Sequence, residues 1–431
     1  MTEIAATSED ATSEAAPQPQ RADFKRLMVF FALVYVVEGI GQSDGLISQP
    51  LNYYLKQVYQ WTPVQITAFL TVLNLPWFLK PLYGIVSDFV PLFGSRRKAY
   101  LLLANGLAAA AYFSMAGAAA PNTLLLLLLL AVYGMAIAST ISGAVLVENG
   151  QRFHASSTFV NQQWLWFEIA AIGVAFLGGA LVQWLPPMGA VHAAALIAAA
   201  PPLLVIFATF VLIEEDKSTI SLAGLKQSLR GLKTALAMRR LWVLALFLFF
   251  YYFSPGIDTP LYFYMTDHLQ FSQAFIGALN SIGAFGWVVM AAIYGVFLRD
   301  LNAKALLNLT ILLGVLATLA FLSMRDPVTA AFAQFFYGGA SMMTAVATLG
   351  LAADLCPKHS EGFVYAAMVA VTNIAAAAAD NVGSYLYEHV FNSALSPLIL
   401  VAAGFTALNF VLVPFLKLDS EHLEPALLLR K

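Results

Sequence analysis

The sequence predicts an all-α, polytopic membrane protein, and its composition and apolar patterning carry this prediction. The chain has 431 residues, of which 60% are hydrophobic and only 11% are charged. A soluble domain is about half apolar and about a quarter charged. One membrane span needs about 20 apolar residues, so a chain of this length has room for about twelve spans.

The apolar residues form twelve segments, six on each side of a long polar stretch. We therefore predict two six-helix bundles, at 24–213 and 241–417, joined by a cytoplasmic linker at 214–240. Residues 1–23 lack the basic start and apolar core of a secretory signal, and we expect a disordered cytoplasmic tail there. A second cytoplasmic tail is expected at 418–431. The predicted spans lie at 27–47, 63–85, 99–119, 124–147, 162–185, 190–213, 241–258, 274–297, 305–323, 327–350, 363–386 and 397–416.

Charge and motifs exclude several classes of protein. The net charge of −2 argues against nucleic-acid binding as the main role. The single cysteine, Cys356, excludes a disulfide framework and a CxxC zinc site. Neither HExxH nor GxxxxGK[ST] occurs, so we expect no metal site, no cofactor and no ATP hydrolysis. We find no acid–base–nucleophile set at one depth in the membrane, so we predict no catalytic residues and no enzyme.

Lysine and arginine collect on one side of the predicted membrane. If the N-terminus is inside, the outer loops hold only Lys56 and Arg325, and the spans hold only Lys80. Cytoplasmic loops carry such an excess of basic residues. We therefore expect a multi-pass protein of the cell inner (plasma) membrane with both termini in the cytoplasm.

The two halves of the chain repeat each other. A Pro-Leu pair with following aromatic residues comes after segment one, at Pro50, and again after segment seven, at Pro260, an offset of 210 residues. Six spans per half, repeated in the same orientation, is the arrangement of the major facilitator fold. In that fold the substrate site lies between the halves, near the middle of the membrane.

A more specific signal lies at 45–101. It contains the pattern LPW-x-x-KPLYG-x-x-SD-x-x-P-x-FG-x-RR. This stretch resembles the folate–biopterin transporter family, a branch of the major facilitators. The resemblance implies a transported small molecule, a lipid-embedded chain and a monomer. Segment four has Ser139, Ser142 and Gly143 where that family often carries acidic residues, so the resemblance leaves the solute open.

On this basis we predict proton-driven uptake of a pterin- or folate-like organic anion. Two alternatives stay open. The first is an AmpG-like permease for another solute, such as a siderophore or a muropeptide. The second is a non-transporting assembly or pigment-handling factor, like the light-harvesting-complex assembly proteins of the same superfamily.

The inner end of segment two carries a candidate conformational latch. Glycine allows close helix approach, and aspartate can pair with arginine or accept hydrogen bonds from a helix N-terminus of the other half. In the superfamily this motif stabilises the outward-open state, and the resemblance implies the same here; the alternative is a motif that only signals topology. The predicted latch comprises Gly84, Asp88, Arg96, Arg97, Glu148 and Asp354.

Carboxylates inside the predicted spans are the candidates for proton coupling. Glu38 lies about eleven residues into segment one, or about 16 Å at 1.5 Å per residue, close to the midplane. A carboxylate there is costly unless it is paired, hydrated or protonated. We expect Glu38 to face a watery chamber between the bundles; the alternative is a static, hydrogen-bonded carboxylate. The candidates are Glu38, Asp44, Glu168 and Asp380.

Aromatic and amide side chains are the main candidates for substrate binding. A planar heteroaromatic ligand would stack on aromatic faces and bond its edges to amides, although aromatic residues also gather at membrane interfaces. Lys80 is either a counter-ion, for Glu38 or for an anionic substrate, or a lysine that snorkels to the inner interface. The candidates are Gln49, Asn52, Trp77, Lys80, Trp164, Tyr252, Asp258, Tyr262, Asn280 and Asn373.

Overall fold

The computed structural model describes residues 18–118, 120–153, 156–215, 217, 219, 237–298, 301–354 and 361–416. Within these ranges the regular structure is helical, and extended pairing is limited to a single bridge between Leu92 and Ser95. The helices are α1 (Gln18–Gly41), α2 (Ser48–Tyr59), α3 (Pro63–Phe78), α4 (Lys80–Phe89), α5 (Lys98–Met115), α6 (Pro121–Arg152), α7 (Ser156–Trp184), α8 (Pro187–Leu212), α9 (Arg239–Tyr252), α10 (Asp258–Asp267), α11 (Gln273–Ile293), α12 (Ala303–Ala320), α13 (Pro327–Asp354), α14 (Glu361–Tyr385) and α15 (Leu395–Leu412).

The all-helical, multi-pass prediction is confirmed. In the described part of the chain, nine helical stretches are long and apolar enough to cross a membrane. Predicted segments one, three and seven, which correspond to α1, α5 and α9, are not among these nine, so the count of twelve stays a prediction. The predicted tail ends at residue 23, whereas α1 begins at Gln18. Most of the predicted linker and the tail at 418–431 lie outside the described residues.

Helix α1 stops before the end of predicted segment one, and α9 before the end of predicted segment seven. Non-helical breaks follow at 42–47 and at 253–257, and α2 and α10 begin after them. The second interruption packs directly on α14, because the backbone N–H of Gly256 donates to the carbonyl of Ala379 at 2.9 Å. A Cβ at Gly256 would lie 2.7 Å from the Cα of Asp380, so only glycine fits there. The two breaks therefore place helix ends in the interior, where backbone N–H and C=O groups have no partner within the helix.

Helices α1–α8 and α9–α15 form an N-terminal and a C-terminal bundle. Each bundle has an apolar core of its own, and a third core is shared between them. We call the end where α1 begins and α8 ends the linker end, and the other end the distal end. The shared core includes Leu51 and Leu55 of α2 and Leu261 of α10, so it holds the bundles together near the distal end.

The bundles touch most closely where α7 crosses α11. A Cβ at Gly179 would lie 2.8 Å from the Cα of Gly277, and one at Gly277 would lie 2.6 Å from the carbonyl oxygen of Ala175. The two backbones are therefore in contact. Small residues at such crossings let helices pack by van der Waals attraction in a membrane, where apolar side chains gain little from leaving lipid.

Gly179→Ala should lower the thermal unfolding temperature of the detergent-solubilised protein, since the added methyl group has no space at the crossing. Gly173 is the matched control on the same helix, because nothing lies within 4 Å of a Cβ built there. Alanine in place of a helical glycine is otherwise stabilising by about 0.5–1 kcal/mol, so Gly173→Ala should be neutral or better. Equal unfolding temperatures for the two variants would contradict the close crossing.

Candidate functional site

A cavity of about 280 Å³ lies between the bundles. This volume is close to the lower end of the range for small-molecule sites, about 300–1,000 Å³. The walls come from the 42–47 break, α2 and α3 on one side and from α10, α11, α13 and α14 on the other. The polar residues that line it are Asp44, Ser48, Gln49, Asn52, Thr67, Thr71, Asn74, Asp258, Thr259, Tyr262, Asn280, Gln334 and Asp380.

Three carboxylates line this cavity. Asp44 lies in the first helix break, and Asp258 is the first residue of α10, where the helix dipole favours negative charge. Asp380 of α14 is brought to the same place by the packing of Gly256 against it. Asp44 and Asp258 are exposed to the cavity. The described lining contains no lysine, arginine or histidine, so the cavity is acidic.

Two amides in the wall present unused acceptors. Gln49 is only 8% exposed, and its Nε2 donates to the backbone carbonyl of Gln273 at 2.8 Å and to that residue's Oε1 at 3.0 Å. The Oε1 of Gln49 and the Oδ1 of Asn52 have no hydrogen-bond partner among the described residues. Both oxygens are buried in the wall, where polar atoms usually have a partner.

Residues Thr67, Thr71 and Asn74 were missed by the sequence reasoning. They lie four and three residues apart on the otherwise apolar helix α3, so they share one face. That polar stripe is the signal that identifies them as lining residues. The face is tied to both bundles, because Asn381 donates to Thr71 Oγ1 at 2.6 Å and Ser43 donates to Asn74 Oδ1 at 2.8 Å.

Glu38 is not among the residues that line the cavity. It is 8% exposed and lies inside the N-terminal bundle, where Ser139 Oγ donates to its Oε1 at 2.8 Å. Lys80 Nζ in turn donates to Ser139 Oγ at 3.1 Å and lies 4.5 Å from the centre of the Trp77 ring. The second carboxylate oxygen of Glu38 has no described partner. Glu38, Ser139 and Lys80 form a triad in which the serine hydroxyl connects the two charges. Glu38 and Ser139 are buried, and Lys80 is partly buried.

The cavity is closed at the distal end by polar contacts between the bundles. Lys56, 9% exposed, forms an ion pair with Asp267 and a hydrogen bond to Thr266, and its Nζ lies 4.2 Å from the centre of the Phe263 ring. Two further contacts join the bundles: Thr67 of α3 shares a hydrogen bond with Ser384 of α14, and the backbone N–H of Val64 donates to Glu388, just after α14. We call the Lys56–Thr266–Asp267 group the distal clasp.

At the linker end, the predicted latch residues meet within one bundle. Arg97 is 6% exposed, and its guanidinium donates to Ser87 Oγ at 2.7 Å, Asp88 Oδ1 at 2.5 Å and Glu148 Oε1 at 2.6 Å. Arg96 is exposed. A Cβ at Gly84 would meet only Thr140, at 3.9 Å, so close helix approach is not made there. The side chain of Asp354 lies outside the described residues. Stabilisation across the two halves stays a prediction.

Glu215, which follows α8, completes this cluster and was also missed. Its carboxylate accepts hydrogen bonds from Ser95 Oγ at 2.5 Å and from the backbone N–H groups of Arg96, Arg97 and Lys98 at 2.7–3.0 Å. It therefore caps the N-terminus of α5. Partial burial opposes ionisation, but the four hydrogen bonds outweigh it and hold the pKa of Glu215 below its ordinary value. A contact 117 residues away in sequence gives no local signal.

Glu215→Gln should lower the unfolding temperature at neutral pH and make it less sensitive to acid. A lowered pKa means that the ionised carboxylate stabilises the fold at neutral pH and that this stability is lost as pH falls through the lowered pKa. Thermal unfolding in detergent, followed from neutral into acid conditions, measures both effects. Glu214→Gln is the matched control, since the side chain of Glu214 is 83% exposed. Parallel pH profiles for wild type and Glu215→Gln would contradict this role.

The remaining predicted residues lie away from the cavity and stay predictions. Trp164 packs against Trp287 of the other bundle with ring centres 5.7 Å apart. Tyr252 forms a hydrogen bond with Thr348 at 3.0 Å. Glu168 is 8% exposed, and neither it nor Asn373 lines the cavity.

The sequence and fold both match known transporters. The BT1 family matches residues 40–418. A folate-biopterin transporter of Synechocystis sp. is 27% identical over 82% of this chain and 73% of its own length. Folate transporter 2 of Plasmodium falciparum is 23% identical over 93% of this chain and 90% of its own length.

Solved structures show the same fold. A point mutant of the nucleoside transporter NupG superposes with a TM-score of 0.69 at 14% identity, over 90% of this chain and 99% of its own. A D-xylose–proton symporter superposes with a TM-score of 0.68 at 14% identity, over 93% of this chain and 99% of its own length. These neighbours confirm the major facilitator fold and, with the family match, make the chain a multi-pass membrane transporter and not an enzyme. The chain therefore belongs to the BT1 family, and its resemblance to folate–biopterin transporters is confirmed.

Proposed function

We propose that this chain is a proton-coupled secondary transporter of a pterin- or folate-like compound. It acts as a monomer in the cell inner membrane, with both termini in the cytoplasm. The observation that carries the proposal is the cavity between the bundles, walled by carboxylates and amides, in a chain whose relatives are named as folate and folate-biopterin transporters.

The three carboxylates supply the coupling. Asp44, Asp258 and Asp380 line one cavity with no basic residue in its described lining. Like charges repel strongly where the surroundings are poorly polarisable. An organic anion that approaches three ionised carboxylates is repelled, and a proton on one of them reduces that repulsion while the others stay ionised. Substrate and protons therefore enter together, which is symport.

The triad Glu38–Ser139–Lys80 is a second place where a proton can reside. Ser139 donates to Glu38, so the carboxylate has one filled and one free oxygen. A proton on that free oxygen removes the Glu38 charge and leaves Lys80 without its counter-charge. Such a change would weaken the connection between α1, α4 and α6 inside the bundle. Glu38 therefore remains a candidate beside the cavity carboxylates. Glu168, which is 8% exposed, is proposed as a further candidate.

The distal contacts support an inward-facing state of the transporter. With the termini in the cytoplasm, the distal end is the outer one, so the clasp closes the outer entrance and the protein faces inward. The Arg97 cluster at the cytoplasmic end then makes its described bonds within the N-terminal bundle. Opening to the outside requires the clasp to break. In that outward-open state the Arg97 cluster would act as the stabilising latch.

Uptake of labelled folate into proteoliposomes should rise with an inward-directed proton gradient. Asp380→Asn should lose that dependence, because the amide cannot take up a proton. Asp326→Asn is the control, since Asp326 lies in an exposed turn away from the cavity. Uptake that is indifferent to the gradient in the wild type would refute coupling. Absence of flux for every pteridine, with a stable complex to another membrane protein, would favour the assembly-factor alternative.

A further inference from the structure

The lining of the cavity is one-sided in its charge. Its charged groups, among the described residues, are three carboxylates, and its other polar groups are hydroxyls and amides, which can both donate and accept hydrogen bonds. Ionised carboxylates only accept hydrogen bonds. The charged positions that the cavity offers to a ligand are therefore acceptors.

Acceptor groups in a binding site favour ligands that carry hydrogen-bond donors. A buried acceptor that meets another acceptor stays unsatisfied, and this costs binding energy. A carboxylate forms its strongest contact with two adjacent N–H groups in one plane, because two parallel hydrogen bonds then form. Such pairs of N–H groups occur on amidines, on guanidines and on the 2-amino-pyrimidinone edge of a pterin. A ligand carboxylate has no donor to offer.

We infer that this cavity binds the N–H donor edge of its ligand and excludes the ligand's carboxylates. The inference rests on the proposed function in one respect: for a folate-like substrate, it places the 2-amino-pyrimidinone edge of the pterin against Asp258 and Asp380. The glutamate end of such a substrate then lies outside the cavity. Selectivity comes from the ring head group, and the anionic end is dispensable for binding.

The cavity size agrees with a head group and not with a whole folate. At about 280 Å³ it is smaller than most drug-sized sites. Tyr262 is the one aromatic residue in the described lining, and its hydroxyl donates to Gln273 Oε1 at 3.2 Å. The ring therefore has one aromatic neighbour, and its edge contacts carry the recognition.

Binding to the purified full-length protein in detergent tests the inference with four probes. They are 2-amino-4-oxopteridine, 2,4-dioxopteridine, p-aminobenzoylglutamate and benzamidine. The 2-amino compound should bind at least about tenfold more tightly than the dioxo compound, since replacing the amino group by oxygen sets acceptor against acceptor. Asp380→Asn and Asp258→Asn should remove that preference, and Asp326→Asn should keep it. The comparison of the two pteridines on the wild type needs no variant to fold.

The outcomes separate this inference from the proposed function. Equal binding of the two pteridines, or competition with folate by p-aminobenzoylglutamate as strong as by the 2-amino compound, overturns the inference and leaves the substrate class standing. Benzamidine binding that requires Asp380, without binding of any pteridine, supports the donor edge and overturns the pterin substrate. Failure of all four probes to bind overturns both.

Discussion

Thr67→Cys combined with Ser384→Cys should yield a protein whose transport stops on oxidation and returns on reduction. The Oγ atoms of Thr67 and Ser384 are 2.6 Å apart, and both residues are buried. A disulfide needs Cβ atoms about 3.5–4.5 Å apart, which a pair of touching hydroxyls at these positions permits. The two residues belong to α3 and α14, in different bundles. Because alternating access moves the bundles apart at this end, a covalent bond here holds the transporter in one state.

The experiment uses a Cys356→Ser background, which removes the single native cysteine. Uptake of labelled substrate into proteoliposomes is measured after oxidation and again after reduction. Ser254→Cys with Thr406→Cys is the matched control, because those hydroxyl oxygens are 3.3 Å apart within the C-terminal bundle. Its disulfide should leave transport intact. Full uptake by the oxidised 67–384 protein would show that the distal end does not open during transport.

The distal clasp explains why this end holds the bundles together. Lys56 and Thr266 are 210 residues apart, which is the offset of the internal repeat. Equivalent residues of two repeats can touch only close to the axis that relates the repeats. The clasp therefore lies on that axis, where a rocking motion separates both bundles by similar amounts. The repeat has threonine at the position equivalent to Lys56, so one half supplies the cation and the other supplies its acceptors.

Composition and repetition were sufficient to predict the fold. Apolar segments of span length leave few alternatives to helices in a bilayer, and the Pro50 and Pro260 repeat indicated two equivalent halves. The breaks at 42–47 and 253–257 were not predicted, although the first range begins with Gln-Ser-Asp-Gly and the second contains Ser-Pro-Gly, which are local signals for a break. What the sequence does not show is where the second break packs: Gly256 lies against α14, whose position is not encoded locally.

The sequence predicted how deep in the membrane the site residues lie, but not which face of a helix each of them occupies. Asp44, Asp258 and Asp380 line the cavity, and so do the predicted amides Gln49 and Asn52. Glu38 lies on the same segment as Asp44 but faces Ser139. Position along a helix follows from residue number, whereas the face follows from rotation by about 100° per residue and from how the helix is packed. The position of a residue along its helix therefore follows from sequence alone, whereas the face that it occupies does not.

Arg97→Gln should destabilise the N-terminal bundle far more than Arg96→Gln, although the two arginines are neighbours. The Arg97 side chain is 7% exposed and bonds to two carboxylates, whereas Arg96 is exposed. Hydrogen bonds to charged groups contribute about 1.5–3 kcal/mol each. Asp88 and Glu148 are nearly half exposed and regain water when Arg97 is lost, which offsets part of this. We therefore expect a loss of about 2–3 kcal/mol for Arg97→Gln and less than about 0.5 kcal/mol for Arg96→Gln.

Thermal unfolding in detergent and uptake by the same preparations distinguish a structural role from a latch. If Arg97 only holds α4, α5 and α6 together, Arg97→Lys should recover stability and uptake together, since one charge remains near both carboxylates. If the cluster also sets the balance between the two states, Arg97→Lys should recover stability but not uptake, because lysine cannot bond to Ser87, Asp88 and Glu148 at once with the planar geometry of a guanidinium. Equal stability of the Arg96 and Arg97 variants would refute both roles.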